Sequence, residues 1–187
     1  MRSAARIVEA ELRLANARLL EACAGEAGPL LRSHGAHSPS IAFHLWHVAR
    51  WSDRLAASLP GFDPRLGRRL GPGRQVWVTD GLATRWGFPS RAGFADSGMG
   101  LAAGIAVELP FPDPAELRDY LARSIAACEA AVAAVDDDLF RAPLVIPYDE
   151  EETIGEVIVG HLVHVARHLG MTEALRGLGE TAGSATV

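Results

Sequence analysis

With 187 residues the chain can bury one sizeable core but is short for two, and 49% hydrophobic against 6% aromatic residues suits packed helices better than a sheet. A net charge of -5, without a long basic run or basic-aromatic alternation, excludes a nucleic-acid-binding surface, and the absence of lysine excludes Schiff-base chemistry. No apolar run reaches the ~18–20 residues that cross a bilayer, and Cys23 and Cys128 lack CxxC spacing, so neither a membrane span nor a disulfide framework is expected.

A first helix is predicted from about Ser3 to Ala24, with Ile7, Ala10, Leu14, Ala17 and Leu20 at helical spacing as its inner stripe. Gly25 and Pro29 end it. Ser38-Pro39, serine as N-cap and proline in the first turn, then starts a second helix running to about Leu59, where Pro60-Gly61 is expected to stop it. Inside it HLWHVARW, His44 to Trp51, places His44, His47, Trp51 and Leu55 on neighbouring stripes. Arg50 and Arg54 flank the histidine face and Asp53 projects elsewhere.

Residues 60–112 hold much of the glycine and proline. A short helix from about Gln75 to Trp86 is expected there, and SRAGFADSGMGLAAG has the glycine density of a loop that wraps a surface, either as a lid or binding loop or as a crossing of the bundle end. Asp113-Pro114 launches a third long helix with Leu117, Leu121, Ile125, Cys128 and Val132 on its inner face. Asp136 to Asp138 should form a solvated turn past its end, since their charges oppose the helix dipole. An extended LVIPY segment follows. Thr153, with Glu156 in capping-box spacing, starts the final helix, which Gly177 and Gly179 close. The expectation is a single domain over 1–180 with a flexible tail at 181–187. The amino terminus begins directly with a charged helix and no signal peptide, so the protein is expected in the cytoplasm.

The final helix carries HLVHVARH, His161 to His168, which matches HLWHVARW at six of eight positions. His161, His164 and His168 share a face with Ile154, Val157, Val165 and Leu175, so their rings point toward neighbouring helices. A lone histidine of this kind is ordinarily a hydrogen-bonded core residue. Several buried imidazoles, at about 1–3 kcal/mol for each one left unpartnered, need something that satisfies them all: a shared divalent ion or a metal-free polar network. In the metal reading His164 and His168, at i and i+4, are the core pair and His47 is the best third ligand. Three neutral imidazoles suit Zn²⁺, Ni²⁺ or Fe²⁺ and leave a position for water or substrate. His44 and His161 would orient a ligand, act as a general base, or replace His47 in coordination. Arg50, Trp51, Arg54 and Arg167 are candidate substrate-binding residues. His34 and His37, in a loop, are expected in solvent.

SIAFHLWHVARWSD, RQVWVTDGLATRWGFP, DSGMG and GHLVHVARHLGMTEALRGL, in this order and separation, resemble the DinB/YfiT-like metalloprotein superfamily. The resemblance implies an all-α, antiparallel four-helix bundle whose long connector between the second and third helices contains a short helix. It implies a divalent ion held by His47, His164 and His168, and frequent dimers. Members of the group that are enzymes transfer, isomerise or conjugate with mycothiol, bacillithiol or glutathione, the metal activating the thiolate. His168 is followed here by Leu169-Gly170-Met171, where RGQ is common in the family. The function expected is thus a metal-dependent thiol S-transferase or isomerase acting on a small molecule. The alternatives are a non-catalytic metal-stabilised bundle serving as a binding or dimerisation module, and a metal-assisted hydrolase.

Overall fold

Four long helices carry the molecule. The computed structural model describes residues 3–24, 27–89, 92–145 and 151–178. In chain order these hold α1 (Ala4–Ala22), α2 (Ala27–Leu31), α3 (Ile41–Phe62), α4 (Pro64–Leu70), α5 (Val76–Thr79), α6 (Leu82–Arg85), α7 (Ala103–Ala106), α8 (Pro114–Ala133) and α9 (Asp137–Phe140). The strands β1 (Pro143–Val145) and β2 (Glu151–Thr153) and the last helix, α10 (Ile154–Leu178), complete them. The described protein is all-α apart from this one antiparallel strand pair, in which Pro143 faces Thr153. Helix α3 packs against α8 and α10, and α1 packs against the same two. The remainder of LVIPY, residues 146–148, and the tail expected at 181–187 lie outside the described residues.

Caps set most of the boundaries. Ser3 starts α1, and Thr153 and Glu156 form the reciprocal capping box at α10: the Thr153 N–H and hydroxyl both donate to the Glu156 carboxylate, and the Glu156 N–H donates to Thr153 Oγ1 at 3.1 Å. Ser40, not Ser38, caps α3, accepting from the Phe43 N–H at 3.3 Å, because it adjoins the apolar run directly. Pro60 does not stop α3. It sits in the last turn, where its ring forfeits a single intrahelical bond, and the chain runs on to Phe62 before Asp63 caps α4.

Two further expectations are corrected. The buried stripe of α1 is Ala5, Leu12, Asn16, Leu19 and Ala22, while Ile7 and Leu14 face outward. A polar residue within the true stripe misleads pattern counting; the Asn16 Nδ2 donates to the Glu129 carboxylate of α8 at 3.0 Å. The acidic triplet is not merely solvated either. Asp136 caps α9 and accepts from the Leu139 N–H, and Asp137 accepts from the Ala5 N–H at 3.1 Å, satisfying a donor of α1's first turn.

Every residue from Ile41 to Arg50 is buried, so the first half of α3 has no solvent face. The connector covers what α8 and α10 leave open. Trp46 lies among Trp77, Phe88 and Phe111, with ring centroids 6.0, 5.0 and 6.1 Å away. Asp53, itself inaccessible, accepts from the N–H groups of Val76 and Trp77 at 2.8 and 2.9 Å and so holds the start of α5 on α3. The single helix expected over 75–86 is two one-turn helices parted by Gly81, whose φ of 60° breaks the spiral.

Candidate metal centre

Helices α3 and α10 face each other through their histidine stripes. His47 projects from α3, and His164 and His168 project from successive turns of α10. The three rings form a near-equilateral triangle, with centroids 4.9 Å apart for His47–His164 and 4.6 Å for both His47–His168 and His164–His168. One nitrogen of each lies within 4.8 Å of the other two.

Hydrogen bonds fix which nitrogens are available. His47 Nδ1 bonds the Ser97 carbonyl, and a carbonyl only accepts, so Nδ1 carries the proton and Nε2 keeps its lone pair. Ser97 belongs to a tight turn closed by a bridge between Phe94 and Met99, with Ala95 and Asp96 both at φ 53°. Three consecutive carbonyls of this turn point at α3: Ala95 and Asp96 accept from Arg50 at 3.2 and 2.8 Å, and Ser97 accepts from His47. Gly98 makes the close approach possible, since a Cβ there would lie 2.7 Å from the Trp46 ring.

His44 and His168 share a hydrogen bond between their Nδ1 atoms at 3.0 Å, which leaves His168 Nε2 for other work. His161 Nε2 pairs with the Ser52 hydroxyl at 3.2 Å, outside the triangle. Both nitrogens of His164 are shielded from solvent and have no protein partner among the described residues. Burial pushes His44 and His161 down to about 4, His164 to about 3 and His168 to about 2, the last two also repelled by His47 and Arg167. His47 is lowered by burial as well. All five are therefore neutral near pH 7, the form that donates an electron pair.

The DinB superfamily model matches residues 11–172, most of the chain. The chain belongs to the DinB superfamily. A solved structure of a conserved protein from Enterococcus faecalis resembles this DinB protein with a TM-score of 0.75 at 15% identity, covering 95% of this chain and 98% of that one, a likeness that shows the fold. No curated protein matches the sequence. The superfamily is metal-associated, and His47, His164 and His168 could hold a metal ion. The residues fit that group on their own account. A buried imidazole with neither nitrogen satisfied costs about 1–3 kcal/mol, and His164 is such a ring until a cation takes one lone pair.

Beside the triangle, α3 and α10 of this DinB chain part to leave a cavity of about 380 Å³. Trp51, Arg54, Met99, His161 and His164 reach it, so His164 belongs to both the triangle and the cavity wall. Of the candidate substrate-binding residues, Trp51 and Arg54 line this space, and Arg167 is exposed nearby. Arg50 is elsewhere. It is 2% exposed, and its guanidinium is committed to Asp53, Gln75 and Tyr120 besides the two turn carbonyls, so it holds the connector and does not face a ligand. His37 is exposed and His34 half-buried, both away from the triangle. Sequence reading missed Ser97 and Ser52 as histidine partners. Glycines at 93 and 98 flanking DS are the one local sign of a turn tight enough to bring a carbonyl to α3.

Proposed function

We propose that this DinB-superfamily protein is a metal-dependent enzyme, built as one antiparallel four-helix-bundle domain over residues 1–180, that activates a low-molecular-weight thiol such as mycothiol or bacillithiol for transfer to, or isomerisation of, a small molecule. The observation that carries it is His164: a ligand-competent neutral imidazole, without a protein partner among the described residues, that stands both in the histidine triangle and in the wall of the cavity. His47, His164 and His168 would hold Zn²⁺, Ni²⁺ or Fe²⁺. Such an ion supplies positive charge that favours the ionised form of a thiol near neutral pH. The chain's own part is to keep the rings unprotonated by burial, to fix His47 through Ser97 and His168 through His44, and to present an apolar space beside them. We place the protein in the cytoplasm, where its two buried free cysteines suit a reducing compartment, and assign it to a homodimer.

A second reading, in which the ion only ties α3 to α10, draws on the shielding of both His164 nitrogens from solvent. The two part on an exchangeable position. Untagged protein is expected to contain one divalent ion per chain, and His168→Ala to contain none while His34→Ala keeps it. Titrating mycothiol or bacillithiol into the cobalt-substituted protein should change its visible spectrum and lower the thiol's pKa. An unaltered spectrum supports the structural tie, and ester hydrolysis without any thiol supports a hydrolase.

A further inference from the structure

Arg54 is placed unlike Arg50, the other arginine of α3. Its guanidinium carbon lies 5.5 Å from the Trp51 ring centroid and 6.0 Å from that of Phe94, so two aromatic faces hold it. Among the described residues it makes no hydrogen bond and no ion pair, and its Nε is shielded from solvent with no partner. Arg50, one turn earlier, has five partners and no access. A guanidinium pinned on aromatic rings with its donors unspent has already lost the freedom that binding would otherwise take away.

The space it borders has a matching character. Leu55, Phe62 and Val157 form an apolar wall, and Met99, 53% exposed, stands at the rim. Gly160 lines the space from α10 and leaves it open, since a Cβ there would meet nothing within 4 Å. At about 380 Å³ the cavity holds a body of roughly ten to fifteen heavy atoms, the lower part of the range for small-molecule sites. Trp51, which carries Arg54, also contacts His164 at 6.0 Å between ring centroids, so the cation and the histidine triangle border one space.

We propose that the cavity between α3 and α10 selects amphipathic anions, a carboxylate on Arg54 with an apolar chain or ring lying along Leu55, Phe62 and Val157. This names the substrate class for the enzyme read above and rests on that reading only for what happens at the ligand's other end. Selection itself needs Arg54 and the apolar wall. A charge-assisted pair with arginine in an apolar setting separates a carboxylate from its neutral amide by about tenfold or more.

The test compares octanoate with octanamide by calorimetric titration of the full chain, as purified and again after chelator treatment. Octanoate is expected to bind about tenfold tighter or better in both preparations. Arg54→Gln should bring the two ligands to within about twofold of each other, and Gly160→Leu, which fills the cavity, should weaken both. Equal binding of the two ligands, binding of neither, or a preference that survives in Arg54→Gln overturns the proposal. So does a preference that vanishes on chelation, because the carboxylate then sits on the ion. A protein that proves to contain no metal but keeps the preference refutes the metal reading and leaves this one standing.

Discussion

At the scale of single residues, the candidate metal site rests on burial that keeps its imidazoles neutral, so that His47, His164 and His168 each have a nitrogen free to donate an electron pair. The same burial makes the metal-free fold sensitive to acid. In the unfolded chain His44 and His161 take up a proton near 6.5; in the folded chain burial lowers them to about 4. Between those values the unfolded state binds more protons, so stability rises with pH, is fully present above about 6.5 and is lost as pH falls toward 4. Each group contributes a slope of up to ~1.4 kcal/mol per pH unit inside that window. The half-buried carboxylate of Asp63, held to about 2 by its bonds from Arg65, titrates below the window and does not mask it. Urea midpoints of chelator-treated protein should therefore drop steadily from pH 6.5 to 4.5 and change little from 7 to 8. A midpoint indifferent to pH over the lower range would mean that these rings are not buried neutral. Added divalent metal should raise the midpoint at pH 7.5 and lose its effect toward pH 5, since protons compete for the same lone pairs.

At the scale of elements, the turn from Phe94 to Met99 acts as a clamp, and Arg50 is its fastening. Arg50 donates to two of the three carbonyls that face α3, while the third takes the proton of His47. It also neutralises the inaccessible Asp53, 3.4 Å away. Arg50→Lys keeps the charge opposite Asp53, but an ammonium cannot span both carbonyls and Tyr120 at once. The turn should loosen, His47 should lose its fixed acceptor, and metal affinity measured against a competing chelator should fall by about tenfold or more with little change in the urea midpoint. Arg50→Met leaves Asp53 buried and unpaired and should instead cost about 3–5 kcal/mol of stability. If the lysine variant binds metal as tightly as the parent, the clamp does not position His47. This clamp also marks where sequence reading stops. The triangle is legible because both histidine pairs obey a local helical period, and the capping box at Thr153 and Glu156 is legible for the same reason. Ser97 reaches His47 from fifty residues away, through a path set by glycines and packed aromatics, and no local spacing encodes that return. Arg50 and Arg54 look alike in the sequence, one turn apart; burial by the connector commits the first to the fold and leaves the second on the cavity.

For the whole molecule, the outer side of α10 poses a problem that the monomer does not solve. A helix that meets water on one side ordinarily turns a polar face to it. Instead Val159 and Val163 are 38% and 54% exposed, with Ala166, Gly170 and Ala174 beyond them. The neighbouring α1 adds Leu14 at 49%, and the two helices form a groove of about 320 Å³ lined by Leu14, Ala15, Leu162, Ala166 and Gly170 together with the charged Glu11, Arg18 and Glu173. Apolar knobs beside a groove lined in part by small residues suit a two-fold pairing, because each copy offers what the other needs. The homodimer proposed above would therefore form through α1 and α10. It leaves the histidine triangle, on the opposite side of α10, untouched. Sedimentation velocity at tens of micromolar should give a species near twice the 19.9 kDa chain mass, and Val163→Glu, which buries a charge in the centre of the contact, should give the single chain with an unchanged metal content. A parent protein that sediments as a monomer would refute the dimer. A Val163→Glu protein that stays dimeric would move the contact to another face, and loss of metal from that variant would mean that the outer side of α10 is coupled to the triangle after all.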